Sequence, residues 1–180
     1  NGALTITGGS ITVGNTGSLG NASNTLVFNG GTLLASAGFT SPSTRGVTMS
    51  GTGIINTNTF NVGILGDIGG SGGLTKNSTG TLTLSGTNTY GGVTTVNAGT
   101  LAITKEVSLA SNTAANLNVK SGATLALNVD SAGTAGFTVA NLNTLLGNIS
   151  VAASASAGLQ SGATLALDTG TATGSTFTQG

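Results

Sequence analysis

Three features of this sequence predict an all-β chain wound as a right-handed parallel β-helix, a β-solenoid with coils of about 20 residues. Short runs alternate apolar and small polar residues, glycine, asparagine and serine punctuate them, and whole phrases return at intervals. Gly80-Thr81-Leu82-Thr83-Leu84 returns nineteen residues later as Gly99-Thr100-Leu101-Ala102-Ile103. Ser121-Gly122-Ala123-Thr124-Leu125-Ala126-Leu127 returns identically from Ser161 to Leu167, a spacing of 40 that reads as two coils.

The pattern begins at once. Leu4-Thr5-Ile6, Ile11-Thr12-Val13, Leu26-Val27-Phe28 and Thr32-Leu33 are short strands, with the glycine pairs Gly8-Gly9 and Gly30-Gly31 as corners. The segment 36–45 holds the only proline, Pro42, and the only arginine, Arg45. Proline cannot donate to a ladder, so this segment is expected to protrude as a loop. Val47-Thr48-Met49, Ile54-Ile55, Phe60-Asn61-Val62 and Ile64-Leu65 resume the coil. Leu82 to Leu84, Val93 to Val96 and Leu101 to Ile103 are the three clearest strands. Farther on, Val139, Leu142, Leu145, Leu146 and Ile149 recur every three or four residues, which predicts a short helix over 140–147 as an excursion from the coil.

A strand of three to five residues cannot bury its apolar side alone, but stacked coils about 4.8 Å apart line those sides into one aliphatic column. Eight or nine coils of about 20 residues make a rod on the order of 40 Å long. The narrow interior suits Leu, Ile, Val and Ala, in keeping with an aromatic content of 3%. Right-handed winding is expected because parallel crossovers are right-handed in nearly all cases. A β-sandwich, the rival fold, calls for antiparallel hairpins rather than identical phrases a whole number of coils apart.

The stretch 66–103 resembles the passenger-associated repeat of bacterial autotransporters, also called the autotransporter-associated β-strand repeat. The resemblance rests on Gly73-Leu74-Thr75-Lys76, Gly80-Thr81-Leu82-Thr83-Leu84-Ser85-Gly86, Asn88-Thr89-Tyr90-Gly91-Gly92, Thr94-Thr95-Val96 and Asn97-Ala98-Gly99-Thr100-Leu101. It implies a right-handed parallel β-helix that is extracellular or displayed on a bacterial cell surface, and it implies no single activity.

Composition limits the rest. A chain of 180 residues is long enough for one domain, and 1–180 reads as a single solenoid, the processed product or segment of a longer exported chain. Charged residues are 4% and the net charge is zero, so no nucleic-acid footprint or basic membrane patch exists. No apolar run approaches the roughly 18 residues of a membrane span. Cysteine is absent, so burial and backbone pairing must hold the fold.

The same composition excludes most catalysis. Without His or Cys there is no Ser–His–Asp or Cys–His arrangement, and a zinc site has no ligands of choice. Four acids are present, Asp67, Glu106, Asp130 and Asp168. Asn128 and Asp168 follow the two SGATLAL phrases at equivalent positions, which two coils would separate by about 10 Å. Isolated solvated acids are the expectation. The run from Gly66 to Gly73 has one Asp and reads as a flexible corner rather than a calcium repeat or phosphate cradle. Tyr90 is expected to pack at a corner, and Lys105-Glu106 to be a solvated pair at a strand end. No catalytic, cofactor-binding or metal residue is therefore assigned, and no cofactor is expected.

What remains is the rod. A non-enzymatic structural protein that stacks head to tail into a fibre is the first expectation, since almost no charge repels a second copy. A stalk or adhesin segment of an autotransporter passenger, with possible glycan contacts, is the alternative. A carbohydrate-active β-helix enzyme comes third, because acids and aromatics to line a groove are scarce.

Overall fold

The computed structural model describes residues 2–110, 116–130, 136–151 and 157–169. Parallel strands stack in seven coils with three faces. The first coil contributes β1 (Ala3–Ile6), β2 (Ser10–Val13) and a 3-10 turn, Thr16–Leu19. The second contributes β3 (Thr25–Phe28), β4 (Thr32–Ala35) and β5 (Phe39–Ser41). The third holds β6 (Val47–Met49), β7 (Gly53–Asn56) and β8 (Asn61–Ile64), and the fourth β9 (Ile68–Gly70), β10 (Leu74–Asn77) and β11 (Thr81–Leu84). The fifth has β12 (Thr94–Val96) and β13 (Thr100–Ile103). The sixth has a 3-10 turn, Glu106–Ser108, then β14 (Leu117–Val119) and β15 (Thr124–Asn128). The seventh has helix α1 (Val139–Val151), β16 (Gly158–Leu159) and β17 (Thr164–Asp168).

The first face is a four-stranded sheet, β1-β3-β6-β9. The second runs through seven strands from β2 to β16, and the third through six from β5 to β17. Every strand pair is parallel and in register. Register makes columns of like side chains. On the third face Phe39, Val62, Leu82, Leu101, Leu125 and Leu165 stack inward. This is the aliphatic column that the alternation predicts, and it excludes the sandwich.

Three expectations need correction. The segment 36–45 does not protrude: it contains β5, which pairs with β8, while Phe39, Ser41 and Arg45 are buried. Pro42 sits just beyond the strand's last residue, where no ladder donor is needed. The 40-residue spacing is one coil rather than two, because Thr124 pairs directly with Thr164 and Leu127 with Leu167. The chain between them includes α1, so the longest sheet reaches seven strands instead of eight or nine.

The predicted helix is present and longer than 140–147, and it is more than an excursion. Leu142 and Leu145 are fully buried in the core cluster, and Leu146 packs against it. Thr138 caps the helix start: its Oγ1 accepts from Asn141 N at 3.1 Å, and Asn141 Oδ1 accepts from Thr138 N at 3.1 Å. This reciprocal pair is a capping box. In chain order α1 takes the slot between a third-face and a second-face strand that β3, β6 and β9 fill in earlier coils.

Glycine makes the corners tight. A Cβ on Gly72 would lie 2.0 Å from the Gly51 carbonyl oxygen, and one on Gly86 would lie 2.3 Å from that of Gly66. Backbone meets backbone there, which is why the corners of the repeat cannot carry side chains.

Candidate functional surface

The interior carries more polar chemistry than a purely aliphatic column would. On the second face Lys76 stands in an inward column between Ile55 and Val96. Its side chain is fully buried, and Nζ donates to the carbonyls of Asn77 at 3.0 Å, Ser78 at 2.6 Å and Ala98 at 3.1 Å. All three ammonium donors are thus used, and the corners of two successive coils are tied together. Desolvation by burial lowers its pKa to about 8.

Tyr90 packs inside the corner as expected, 1% exposed, with its hydroxyl 2.7 Å from Thr94 Oγ1. Burial raises its pKa to about 12, against a smaller opposing effect of the Thr94 hydrogen bond. A ring closed off in this way offers no stacking platform to a ligand.

The first sheet ends at β9, and side chains then carry its hydrogen bonding onward. Asn88 Oδ1 accepts from Ile68 N at 3.0 Å, and its Nδ2 donates to Ser108 O at 2.6 Å. Ser108 Oγ donates to Gly86 O at 2.7 Å, and Asp67 Oδ1 accepts from Thr87 N at 2.7 Å. Asn88 thereby links three coils. A second relay runs along the corner after the second face, where Asn97 Nδ2 donates to Asn77 Oδ1 at 2.7 Å and Ser78 Oγ to Asn56 Oδ1 at 2.7 Å.

Of the four acids, Asp130 and Asp168 fall on neighbouring coils, where Val129 N donates to Asp168 O at 2.8 Å. Asp67 is exposed and turned to the Thr87 amide, Glu106 opens the 3-10 turn after β13 beside exposed Lys105, and Asp130 is buried just after β15. Asp168 lies directly opposite Asn128, one strand spacing away rather than two coils. Among the described residues no group of three acids is placed to hold a metal ion. No described helix is long and apolar enough to cross a membrane.

Outward, the third face is small and uncharged over most of its length. Thr81, Thr100, Thr124 and Thr164 form one column, and Thr83, Ala102, Ala126 and Ala166 the next. Gly63 lies between Thr40 and Thr83 and leaves a shallow, half-open hollow of about 190 Å³, bordered by Asn61, Leu65 and Ser85. Sequence reasoning anticipated this polar and β-branched exterior. It missed Lys76, Arg45 and Asn88 as interior residues, although the strict alternation through Leu74-Thr75-Lys76 is a signal that position 76 faces inward.

Comparison with known proteins agrees with this architecture. Residues 74–103, from the start of β10 to the end of β13, match the passenger-associated-transport-repeat family. Over 98 residues, 54% of the chain, it is 42% identical to a protein named adhesin BmaC autotransporter, from Brucella suis biovar 1 (strain 1330). That match spans only 2% of the relative's length. No solved structure matches the chain. The resemblance noted over 66–103 thus holds: residues 74–103 carry the passenger-associated transport repeat, and a little over half of the chain is similar to a short part of an autotransporter adhesin.

Proposed function

We propose that this passenger repeat chain is a length of non-enzymatic β-solenoid rod displayed outside the cell, a stalk or adhesin-like segment of a much longer passenger. The observation that carries the reading is the column of inward side chains that continues in register from coil to coil. Such a column resists bending and spaces what lies at its ends. Seven coils about 4.8 Å apart span about 30 Å.

The absence of His and Cys supports a role without catalysis, since the usual nucleophile–base arrangements have no residues to form them. The geometry also favours a segment over a self-stacking fibre. The outermost described coils leave Leu4, Ile11, Leu165 and Leu167 only partly covered, as coils awaiting a further coil would. Another copy stacked head to tail would set β17 against the 3-10 turn Thr16–Leu19, and β1 against α1. Two of the three faces would then lack a strand partner.

Electron microscopy of the purified 180-residue chain tests the reading. Discrete short particles at every concentration are expected. Unbranched filaments that lengthen with concentration would replace it with the fibre. Display is tested on intact cells that make the longer precursor: external protease should cut this repeat, and protection until lysis would refute surface exposure.

A further inference from the structure

Among the described residues, two buried polar side-chain atoms have no hydrogen-bond partner, Ser41 Oγ and Arg45 Nε. They flank one turn, closed by Arg45 N donating to Pro42 O at 3.1 Å. Both side chains are sealed from solvent, Ser41 at 0% and Arg45 at 1% exposure. They also share a neighbour. The strand that carries Ser41 packs on the 3-10 turn Thr16–Leu19, and the Arg45 guanidinium donates to Leu19 O at 2.8 Å, Gly20 O at 3.0 Å and Asn24 O at 3.1 Å.

Those acceptors are neutral carbonyls, so the guanidinium is buried with its charge uncompensated. An unpaired interior charge is unfavourable unless something of opposite sign accompanies it. The nearest acid along the stack is no partner: Asp67 takes Val47 N on its backbone carbonyl and Thr87 N on its carboxylate. Both orphan groups can donate, and the Nε–H can do nothing else. Two spare donors on one turn, beside an unbalanced positive charge, call for an acceptor that brings negative charge. A water could meet the same donors but would leave the guanidinium charge unbalanced.

We propose that Ser41 and Arg45 hold a small monovalent anion of the halide class inside the N-terminal part of the rod. A halide can accept from both donors and offsets the guanidinium charge, and a single-atom anion is the smallest group that does both. The anion is then a structural part of the fold that pins the first coil to the second.

Crystals of the 180-residue chain grown with bromide in place of chloride test this directly. An anomalous peak within hydrogen-bond reach of Ser41 Oγ and Arg45 Nε is expected. In solution, replacing gluconate by chloride or bromide at constant ionic strength should raise Tm by a few degrees in a saturable way. The Ser41→Ala variant should lose that dependence while still folding. Bromide found only at surface positions, a light-atom water in the site, a Tm that follows ionic strength alone, or an unchanged halide response in Ser41→Ala would each overturn the proposal.

Discussion

Leu125 and Leu165 are neighbours across one hydrogen-bonded step of the third sheet, although forty residues of chain separate them. Identical phrases stack directly on each other, and the intervening chain contributes α1, whose apolar side enters the core. The helix is therefore a working part of the last coil.

Truncating its buried side should be costly. Leu142→Ala and Leu145→Ala are each expected to lose about 2–4 kcal/mol, the usual range for a fully buried leucine. Val139→Ala, at a half-exposed position, should stay within about 0.5 kcal/mol. Urea unfolding of the three variants measures this. Equal, small effects would mean that the helix is a passive insertion.

Lys76 predicts an unusual alkaline profile. Its pKa falls from 10.5 to about 8 on folding, so between those values the unfolded chain holds a proton that the folded chain has released. Stability should then rise with pH across that window, at a slope approaching about 1.4 kcal/mol per pH unit, and be flat just below it. Tyr90 acts the other way from pH 10 upward, because its folded pKa is raised from 10.0 to about 12. Denaturant midpoints between pH 7 and 12 should therefore climb and then fall. Lys76→Met should remove the climb and keep the fall.

Asn88 replaces backbone pairing where the first sheet stops. Asn88→Leu leaves the Ile68 amide and the Ser108 carbonyl without their partner in a buried site. A loss of about 2–4 kcal/mol is expected, from two buried groups at about 1–3 kcal/mol each with partial relaxation. Faster amide exchange at Ile68 is the specific signature. A variant that loses stability without exposing that amide would place the effect elsewhere.

Two glycines separate close approach from conformational strain. Gly122, at φ 77°, has open space where a Cβ would go, so Gly122→Ala should cost about 1 kcal/mol from the left-handed backbone alone. Gly86→Ala drives a Cβ to 2.3 Å from the Gly66 carbonyl and should cost several times as much. Thermal unfolding of the pair decides it, and similar losses would show that the corner can open without penalty.

The fold was legible because its signals are local and repeated. Period-two alternation marks which side chains face inward, and the returning phrases mark coils. The candidate surface was legible in part: its threonine columns follow from the same alternation. Lys76 and Arg45 were harder, since a basic residue in a polar chain reads as solvated unless something supplies its acceptors. Asn77 and Ser78 beside the lysine supply two of them, but the carbonyl at position 98 and those at 19, 20 and 24 are brought close only by stacking.

By itself, then, the sequence determined the strands, the inward and outward sides and the parallel stacking, because each depends on residues within one coil and on a repeat. Tertiary structure alone decided how many coils the described residues form, that the 40-residue interval is a single coil, and where the buried cations find their partners. Register between coils is set by matching side chains across about 4.8 Å of space, and the length of chain between them does not enter.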